Sequence, residues 1–398
     1  MNAKNKAKLF NKNYILLMLV SLITSLGYSM ISTLISSYAV DLGASLTAAG
    51  ALAGIYSISA LVSRPFSGYA TDRLNKRNVC IFSTSLICLA MVCYAIAPGI
   101  NTMFAVRVLH GAAFGLSGTA NMALVCDYAP SERLAEGLGY FGLGQIISQV
   151  WGPSLGMGIK NELGYKWLFL IIAAMTVFAV LVLLGIDRKQ NQNAQPKERK
   201  PFSFNSLIAK ECIVYALVGG AFSLSNGIVN SFLILVGEER SILGISLFFS
   251  VNAVILFVIR LFIGKIADKG SLSFIVNISL ITSAISMAVL GVGNVLWVIL
   301  LAAVLKAFGQ GSAQISLQSA SIKKVDALRV GVAASTYYIG ADIGQGLGPI
   351  IGGKISELFG YQTMFFCVAA IILGAGVLFN VYERFEKAKA LKAHSQVQ

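Results

Sequence analysis

Several ionisable side chains lie inside long apolar segments, where a charge is costly, including Asp342, Lys306, Arg107 and His110. Asp342 lies about twelve residues into the segment 330–356, and Lys306 lies about eleven residues from one end of the segment 295–320. Arg107 lies about five residues inside its own segment, and His110 follows it by one helical turn. Because ionisable groups in such segments are rare and usually face a cavity or a partner, these four are the first candidates for chemistry.

The types of these side chains indicate a proton carrier and an anion site. A carboxyl group that alternates between charged and neutral forms can carry a proton, so Asp342 is the first candidate and His110 the second. Lys306 or Arg107 could then hold an anionic part of a substrate. The matching depth of Asp342 and Lys306 predicts either a pair or a shared cavity, with a static structural pair as the rival. For His110 the rival is a packed, hydrogen-bonded histidine, and for Arg107 it is a side chain reaching the interface.

Other polar and aromatic residues of the apolar segments complete a predicted substrate pocket. Gln310 and Gln314 are one turn apart, and they share a helix face with Lys306. Ordinary helix–helix hydrogen bonds are the alternative for each member taken singly. The predicted pocket residues besides the charged ones are Tyr28, Asn121, Asn226, Asn230, Gln310, Gln314 and Tyr337.

Composition identifies the elements that position these residues as membrane helices. The 398 residues are 56% hydrophobic and 12% charged, with a mean hydropathy of +0.76, whereas soluble domains carry about a quarter charged residues. Apolar runs of about 20 residues are long enough to cross a bilayer, and they lack the alternation of barrel strands. The sequence therefore predicts an all-α integral membrane protein with twelve spans, near 14–40, 46–70, 78–97, 102–126, 136–158, 166–186, 211–236, 243–266, 273–292, 295–320, 330–356 and 362–382.

The distribution of basic residues predicts the orientation. Of the 31 Lys and Arg residues, 23 fall in the tails and alternate connections on one side and four on the other, so both termini are expected in the cytoplasm. The net charge of +14 is spread over short connections facing anionic headgroups, which argues against nucleic acid as a partner. The six cysteines have no metal-binding spacing, and we expect no metal or cofactor.

An internal repeat divides the chain into halves. The string RPFSGYATDR at 64–73 returns as RLFIGKIADK at 260–269, and the same offset of 196 carries Gly152 and Pro153 onto Gly348 and Pro349. The sequence thus predicts two parallel six-helix bundles, 1–186 and 211–398, joined by a cytoplasmic linker at 187–210. A duplication of this kind predicts a substrate site between the halves and alternating access by rocking.

One connection carries a motif that resembles the loop signature of the major facilitator superfamily. It reads Gly68-x-x-x-Asp72-Arg73-x-x-Lys76-Arg77, with Asn75 where a glycine is common. In that family the loop clamps the cytoplasmic side, so the resemblance implies a gating role. Asp72 could accept hydrogen bonds from the free N–H groups at a helix N-terminus. Arg73 or Arg77 could pair with Asp127, and the alternative for the basic residues is simple topology.

Two further motifs resemble the same family. Arg107-x-x-His110 is similar to its helix-4 arginine motif, with His where Gln is common. Glycine-proline motifs similar to those of its antiporter branches occur twice, although close packing alone would explain such glycines. The resemblance implies a proton-coupled exporter of drugs or metabolites in the cell membrane, acting as a monomer on a small molecule. The glycine-proline positions, included as gating candidates, are Gly152, Pro153, Gly156, Gly348, Pro349 and Gly352.

Three other functions compete with export. A proton-coupled nutrient importer could use the same fold, and a lipid flippase is a further alternative. A membrane enzyme would need a convergent constellation such as H-E-x-x-H or paired intramembrane aspartates, and the sequence has none. ATP-driven transport would need a G-x-x-x-x-G-K-[ST] loop, which is also missing, so we expect no enzyme activity.

Overall fold

A computed structural model describes residues 9–32, 34–44, 46–96, 99–187 and 207–395. Within these ranges the regular structure is entirely helical. The chain forms two compact units. The first unit comprises Met1–Ala209 together with Val325–Thr336, and the second comprises Lys210–Lys324 together with Tyr337–Gln398.

The first unit is built from long helices that bury small and apolar residues against one another. Helix α1 packs against α7 and α8, α3 packs against α5, and α4 lies between α5 and α8. The helices of this unit are α1 (Lys12–Ser32), α2 (Ile35–Asp41), α3 (Leu46–Arg73), α4 (Lys76–Ile96), α5 (Ile100–Tyr128), α6 (Leu134–Phe141), α7 (Leu143–Leu163) and α8 (Tyr165–Leu184).

The second unit has α12 at its centre, packed against α10 and α11 and touching α9. Its helices are α9 (Ile213–Glu239), α10 (Leu247–Lys269), α11 (Leu272–Val292), α12 (Leu296–Lys323) and α13 (Val330–Ser395), of which the first turns of α13 belong to the first unit. Gly360 has φ 78°, a conformation that side-chain-bearing residues rarely adopt, and it interrupts α13.

Hydropathy confirms that these helices suit a membrane. Nine helical stretches of the described residues are long and apolar enough to span a bilayer, and the stretch Ala327–Glu386 contains two of the predicted runs. Helix α7 does not reach the same hydropathy. It is rich in Gly and polar residues, which suits a helix that faces other helices.

The structure corrects the boundaries of four predicted spans. The run 14–40 is divided between α1 and α2, and the run 136–158 between α6 and α7 at Gly142. The runs 330–356 and 362–382 instead form one element with a break at Gly360. Hydropathy measures transfer to lipid and does not register the backbone dihedrals at which a helix bends, so it could not locate these breaks.

Helix positions follow the offset of the sequence repeat. Helices α4 and α11 begin at Lys76 and Leu272, 196 residues apart, and Gly164 (φ 85°) is related in the same way to Gly360. Residues 188–206, most of the predicted linker, lie outside the described residues. The division at 187–210 therefore stays a prediction.

Candidate functional site

Lys306 lies at the centre of a polar cluster in the second unit. Its side chain on α12 is 2% exposed, and its Nζ donates to Asn226 Oδ1 on α9 (2.9 Å) and to Gln310 Oε1 one turn along α12 (2.7 Å). Asn226 Nδ2 in turn donates to Gln345 Oε1 on α13 (3.4 Å). Two neutral amide oxygens therefore accept the hydrogen bonds of the buried ammonium group, and no carboxylate takes part in them.

The sequence predicted either a pair or a shared cavity for Asp342 and Lys306; the structure does not form the pair, and the shared cavity stays a prediction. The hydrogen bonds of Lys306 go to Asn226 and Gln310, and no ion pair joins it to Asp342, which is half-buried on α13. Matching depth in the sequence places two residues at one height but says nothing of the direction in which each points around its helix axis. A neighbouring amide on α9 satisfies the ammonium instead.

The remaining pocket candidates of the second unit divide into two groups. Gln314 accepts from Arg260 Nη2 (2.9 Å), not from Lys306, and Tyr337 is buried with its hydroxyl 3.5 Å from the Gln314 carbonyl. Asn230, by contrast, is exposed at the surface of α9. Only Asn226 and Gln310 among these candidates contact Lys306.

Arg107 is a buried cation of the first unit. It is 3% exposed, its Nε donates to the Leu52 carbonyl on α3 (3.3 Å), and its guanidinium lies 4.4 Å from the centre of the Tyr56 ring. This guanidinium forms no ion pair within the described residues. Aromatic stacking and one carbonyl are the contacts that hold the charge in place.

His110 and Tyr28 belong to the same aromatic cluster. His110 is 2% exposed and meets Tyr56 edge to face (4.9 Å), while Tyr28 stacks on Tyr56 and Phe114 (5.2 Å each). In the described part of the chain, His110 Nδ1 has no hydrogen-bond partner, nor has the Tyr56 hydroxyl. A buried imidazole with an unsatisfied nitrogen is costly, which favours a functional over a purely packed histidine.

The repeat offset of 196 carries His110 on α5 onto Lys306 on α12. Both are buried side chains at equivalent positions, one surrounded by aromatic rings and the other by amides. Asn121, also on α5, is buried and lies about three turns from His110. Its side-chain amide donates to Ser117 Oγ of the same helix (3.1 Å). This hydrogen bond lies within α5, so it is not the helix–helix bond expected as the alternative for that residue.

The carboxylate of Asp72 caps a helix. Its Oδ1 accepts from the Gly331 N–H (2.7 Å) and its Oδ2 from the Val332 N–H (2.9 Å), both in the first turn of α13. The predicted contact of Asp72 with free amides at a helix N-terminus is therefore present. Gly68 lies one turn before Asp72 on α3 and allows α3 and the start of α13 to approach closely, because a Cβ at this position would lie 2.7 Å from Ser335 Cβ.

The basic residues of the same loop have separate partners. Lys76 forms an ion pair with Asp127 on α5 (2.5 Å). The predicted pairing of Arg77 with Asp127 is wrong, since the Arg77 guanidinium donates to the carbonyls of Leu183 and Leu184 at the end of α8. Lys76 begins α4 and reaches Asp127 with a flexible stem, whereas Arg77 projects toward α8. Arg73 lies over the Tyr69 ring (5.0 Å).

The glycine-proline motifs lie at close helix contacts. A Cβ on Gly156 of α7 would lie 2.4 Å from the Met30 carbonyl oxygen on α1, and one on Gly348 of α13 would lie 2.6 Å from the Leu224 carbonyl oxygen on α9. Pro153 and Pro349 lie inside these two helices. Other glycines of the motifs, Gly152 and Gly352, make similar close approaches to α1 and α9.

Sequence reasoning missed several residues that the structure brings to these clusters. Tyr56 and Tyr94 enclose His110, Gln345 completes the chain of amides at Lys306, and Arg260 binds Gln314. A signal existed for Arg260, which the repeat relates to Arg64, itself bound to the Gly115 carbonyl (3.3 Å). Nothing in the linear sequence indicated Tyr56 or Tyr94, since their role depends on which way α3 and α4 face.

The described residues contain no cluster of three or more His, Cys, Asp or Glu side chains that could hold a metal ion. No disulfide joins any two of the six cysteines. Serine and threonine hydroxyls make up most of the buried polar positions, together with a few arginine, lysine and amide groups. They can bind acceptor-bearing molecules and transfer protons, and they lack the ligand set of a metal centre.

Comparison with known proteins identifies the family and its export-related relatives. The model of the Major Facilitator Superfamily matches residues 17–274 and 212–397. The staphylopine export protein of Staphylococcus aureus is 22% identical over 84% of this chain and 86% of its own. The quinolone resistance protein NorA of Staphylococcus aureus is 22% identical over 95% of this chain and 98% of its own. The multidrug resistance protein MdtG of Enterobacter lignolyticus is also 22% identical, over 93% and 92%.

Solved structures share the fold at low sequence identity. The human organic anion transporter MFSD10 superposes with a TM-score of 0.75 at 17% identity, covering 92% of this chain and 98% of that one. The E. coli fucose:proton symporter FucP superposes with a TM-score of 0.78 at 14% identity, over 92% and 97%. Together with the apolar helices, these matches establish that the chain is a multi-pass membrane protein of the Major Facilitator Superfamily, a family of transporters rather than enzymes.

Proposed function

We propose that the chain is a proton-coupled exporter of a small organic molecule that works by alternating access. The observation that carries this proposal is that each unit contains a buried cation, Arg107 in the first and Lys306 in the second, that forms no ion pair within the described residues. A buried, unpaired charge costs several kcal/mol, and a ligand with an anionic part relieves that cost. The cations are therefore the proposed anchors for the substrate.

The direction of transport rests on the relatives. The three whose names indicate export or resistance each align over at least 84% of this chain. The glycine-proline contacts of α7 with α1 and of α13 with α9 support the same direction through the resemblance to antiporters. With both termini in the cytoplasm of a cell membrane, as the basic residues predict, export means movement away from the linker side.

Proton coupling is assigned to Asp342, with His110 as the second candidate. Asp342 is half-buried twelve residues after the start of α13, where a carboxyl group can change its charge during transport. His110 sits among aromatic rings with Nδ1 unsatisfied, so it can accept or release a proton there.

A gating role is proposed for the loop between α3 and α4. Asp72 ties this loop to the N-terminus of α13 through two charge-assisted hydrogen bonds, and Lys76 ties it to α5. Breaking and re-forming bonds of this kind is an expected step of alternating access. The protein is proposed to do this as a monomer.

Proton flux driven by substrate tests the proposal. Purified protein is placed in liposomes with a pH-sensitive dye inside, and cationic drugs and zwitterionic or anionic metabolites are added in turn. We expect one compound to move protons in the direction opposite to its own movement, and the Asp342→Asn variant to lose this flux. Protons that move in the same direction as the compound would instead identify a symporter, and the export proposal would fail.

A further inference from the structure

The amides around Lys306 have a fixed orientation. An ammonium group has donors only, so Asn226 and Gln310 must turn their oxygens toward Nζ. Asn226 then has only its NH2 group to offer Gln345, which accepts through Oε1. The usual ambiguity between the oxygen and nitrogen of an amide is thereby removed at three successive side chains.

This orientation leaves donors on the outer side of the cluster. The NH2 groups of Gln310 and Gln345 donate to no other group of the described residues. Gln345 is exposed and Gln310 partly buried, whereas Lys306 is 2% exposed. A molecule that approaches the cluster therefore meets amide N–H groups first and the ammonium only behind them.

The charge of Lys306 reinforces those donors. No carboxylate of the described residues forms an ion pair with it, and the nearest acid along α13, Asp342, lies one turn before Gln345. Amide dipoles aligned with their oxygens toward the cation carry positive potential to their nitrogen ends, and hydrogen-bonded chains of this kind polarise one another. A surface with donors and positive potential favours an oxygen-rich anion and disfavours a cation.

We propose that the NH2 groups of Gln310 and Gln345 form a subsite for the carboxylate of an organic anion, with Lys306 behind them as a positioning residue. Lys306 sets the direction of the amides and supplies the charge, while the two glutamines touch the ligand. This assignment rests on the proposed function in taking that ligand to be the transported molecule, and it narrows the substrate class to organic anions and zwitterions.

Equilibrium binding of two dyes that share a xanthene core tests the subsite without requiring transport. Anionic fluorescein and cationic rhodamine 6G are titrated against the purified full chain, and binding is followed by fluorescence anisotropy. We expect fluorescein to bind at least about tenfold more tightly than rhodamine 6G, because a hydrogen bond to a charged group is worth about that factor or more. Tighter binding of rhodamine 6G, or binding of neither dye, would overturn the proposal.

Four variants separate the subsite from general packing. Gln345→Met removes an exposed donor and should weaken fluorescein binding about tenfold. Gln149→Met, at the repeat-equivalent exposed position of the first unit, is the matched control and should change it less than twofold. Lys306→Gln removes the ammonium group, so the amides of Asn226 and Gln310 can turn either way, and the preference for fluorescein over rhodamine 6G should be lost. Lys306→Arg again offers only donors, so this preference should be retained.

The outcomes also distinguish this inference from the proposed function. Unchanged fluorescein binding in both Gln345→Met and Lys306→Gln would refute the subsite even if the protein exports a cation. Tight, Lys306-dependent fluorescein binding in a protein that moves no protons would support the subsite and refute the coupling. Melting temperature is recorded for each variant, and Gln345→Met carries the test if the Lys306 variants do not fold.

Discussion

Replacing Asp72 by Asn should loosen the first turn of α13. The carboxylate accepts from the Gly331 and Val332 N–H groups at 2.7 and 2.9 Å. These amides have no partner within a helix that begins at Val330, so Asp72 alone protects them. Asparagine keeps one acceptor oxygen and loses the charge.

The expected magnitude follows from the bonds lost. One hydrogen bond to a charged group is worth about 1.5–3 kcal/mol, and each 1.4 kcal/mol changes an equilibrium about tenfold. Amide hydrogen exchange at Gly331 and Val332 should therefore accelerate about 10- to 100-fold in the variant. Hydrogen exchange followed by mass spectrometry of the peptide covering 325–336 measures this directly.

A variant of the same loop serves as the control. Lys76→Gln breaks the ion pair with Asp127 but leaves both acceptor oxygens of Asp72 in place. Exchange at Gly331 and Val332 should then stay within about threefold of the wild type. Equal exchange in Asp72→Asn and the wild type would refute the reasoning that this carboxylate caps α13.

Three further substitutions test other contacts. Gly156→Ala places a Cβ 2.4 Å from the Met30 carbonyl oxygen and should cost about 1–3 kcal/mol, whereas Gly158→Ala, with nothing within 4 Å, should not lower the melting temperature. Arg107→Lys keeps the charge but loses the planar contact with Tyr56, and we expect a several-fold higher KM for the transported compound with little change in melting temperature. Arg77→Gln removes the donors from the α8 carbonyls of Leu183 and Leu184 and should lower the melting temperature; an unchanged value would show that these bonds add no stability.

The fold was largely predictable because its main determinants, the lengths of the apolar runs and the repeat offset, can be read directly along the sequence. Apolar run length selects membrane helices, and a constant offset of 196 relates the two sets of helices, down to Gly164 and Gly360. The breaks at Gly142 and near Leu34 were not predictable, because they depend on how neighbouring helices pack and leave hydropathy unchanged.

The candidate site was predictable only along single helices. Lys306 and Gln310 are four residues apart, and their hydrogen bond follows from helical geometry. The partners on other helices, Asn226 and Gln345, depend on the rotation of α9 and α13 about their axes. Depth alone suggested that Asp342 and Lys306 form a pair or share a cavity, and the pair is absent for the same reason.

Asp72 illustrates the opposite case. A carboxylate near a helix N-terminus can accept hydrogen bonds from its unsatisfied N–H groups, whatever the packing elsewhere. This argument predicted that Asp72 contacts a helix N-terminus, and the structure shows that this is the N-terminus of α13. The argument could not choose among the basic residues of the loop. Lys76 and Arg77 are adjacent, and only the rotation of α4 directs one toward Asp127 and the other toward α8.

Gradient-driven accumulation in vesicles tests the central claim of proton-coupled export most directly. Inside-out vesicles are given an acidic lumen, and uptake of the compound found in the proton-flux panel is followed in the wild type and in Asp342→Asn. We predict that the wild type concentrates the compound until the pH gradient is collapsed, while Asp342→Asn exchanges labelled for unlabelled compound without concentrating it. Accumulation by Asp342→Asn equal to that of the wild type would contradict the account.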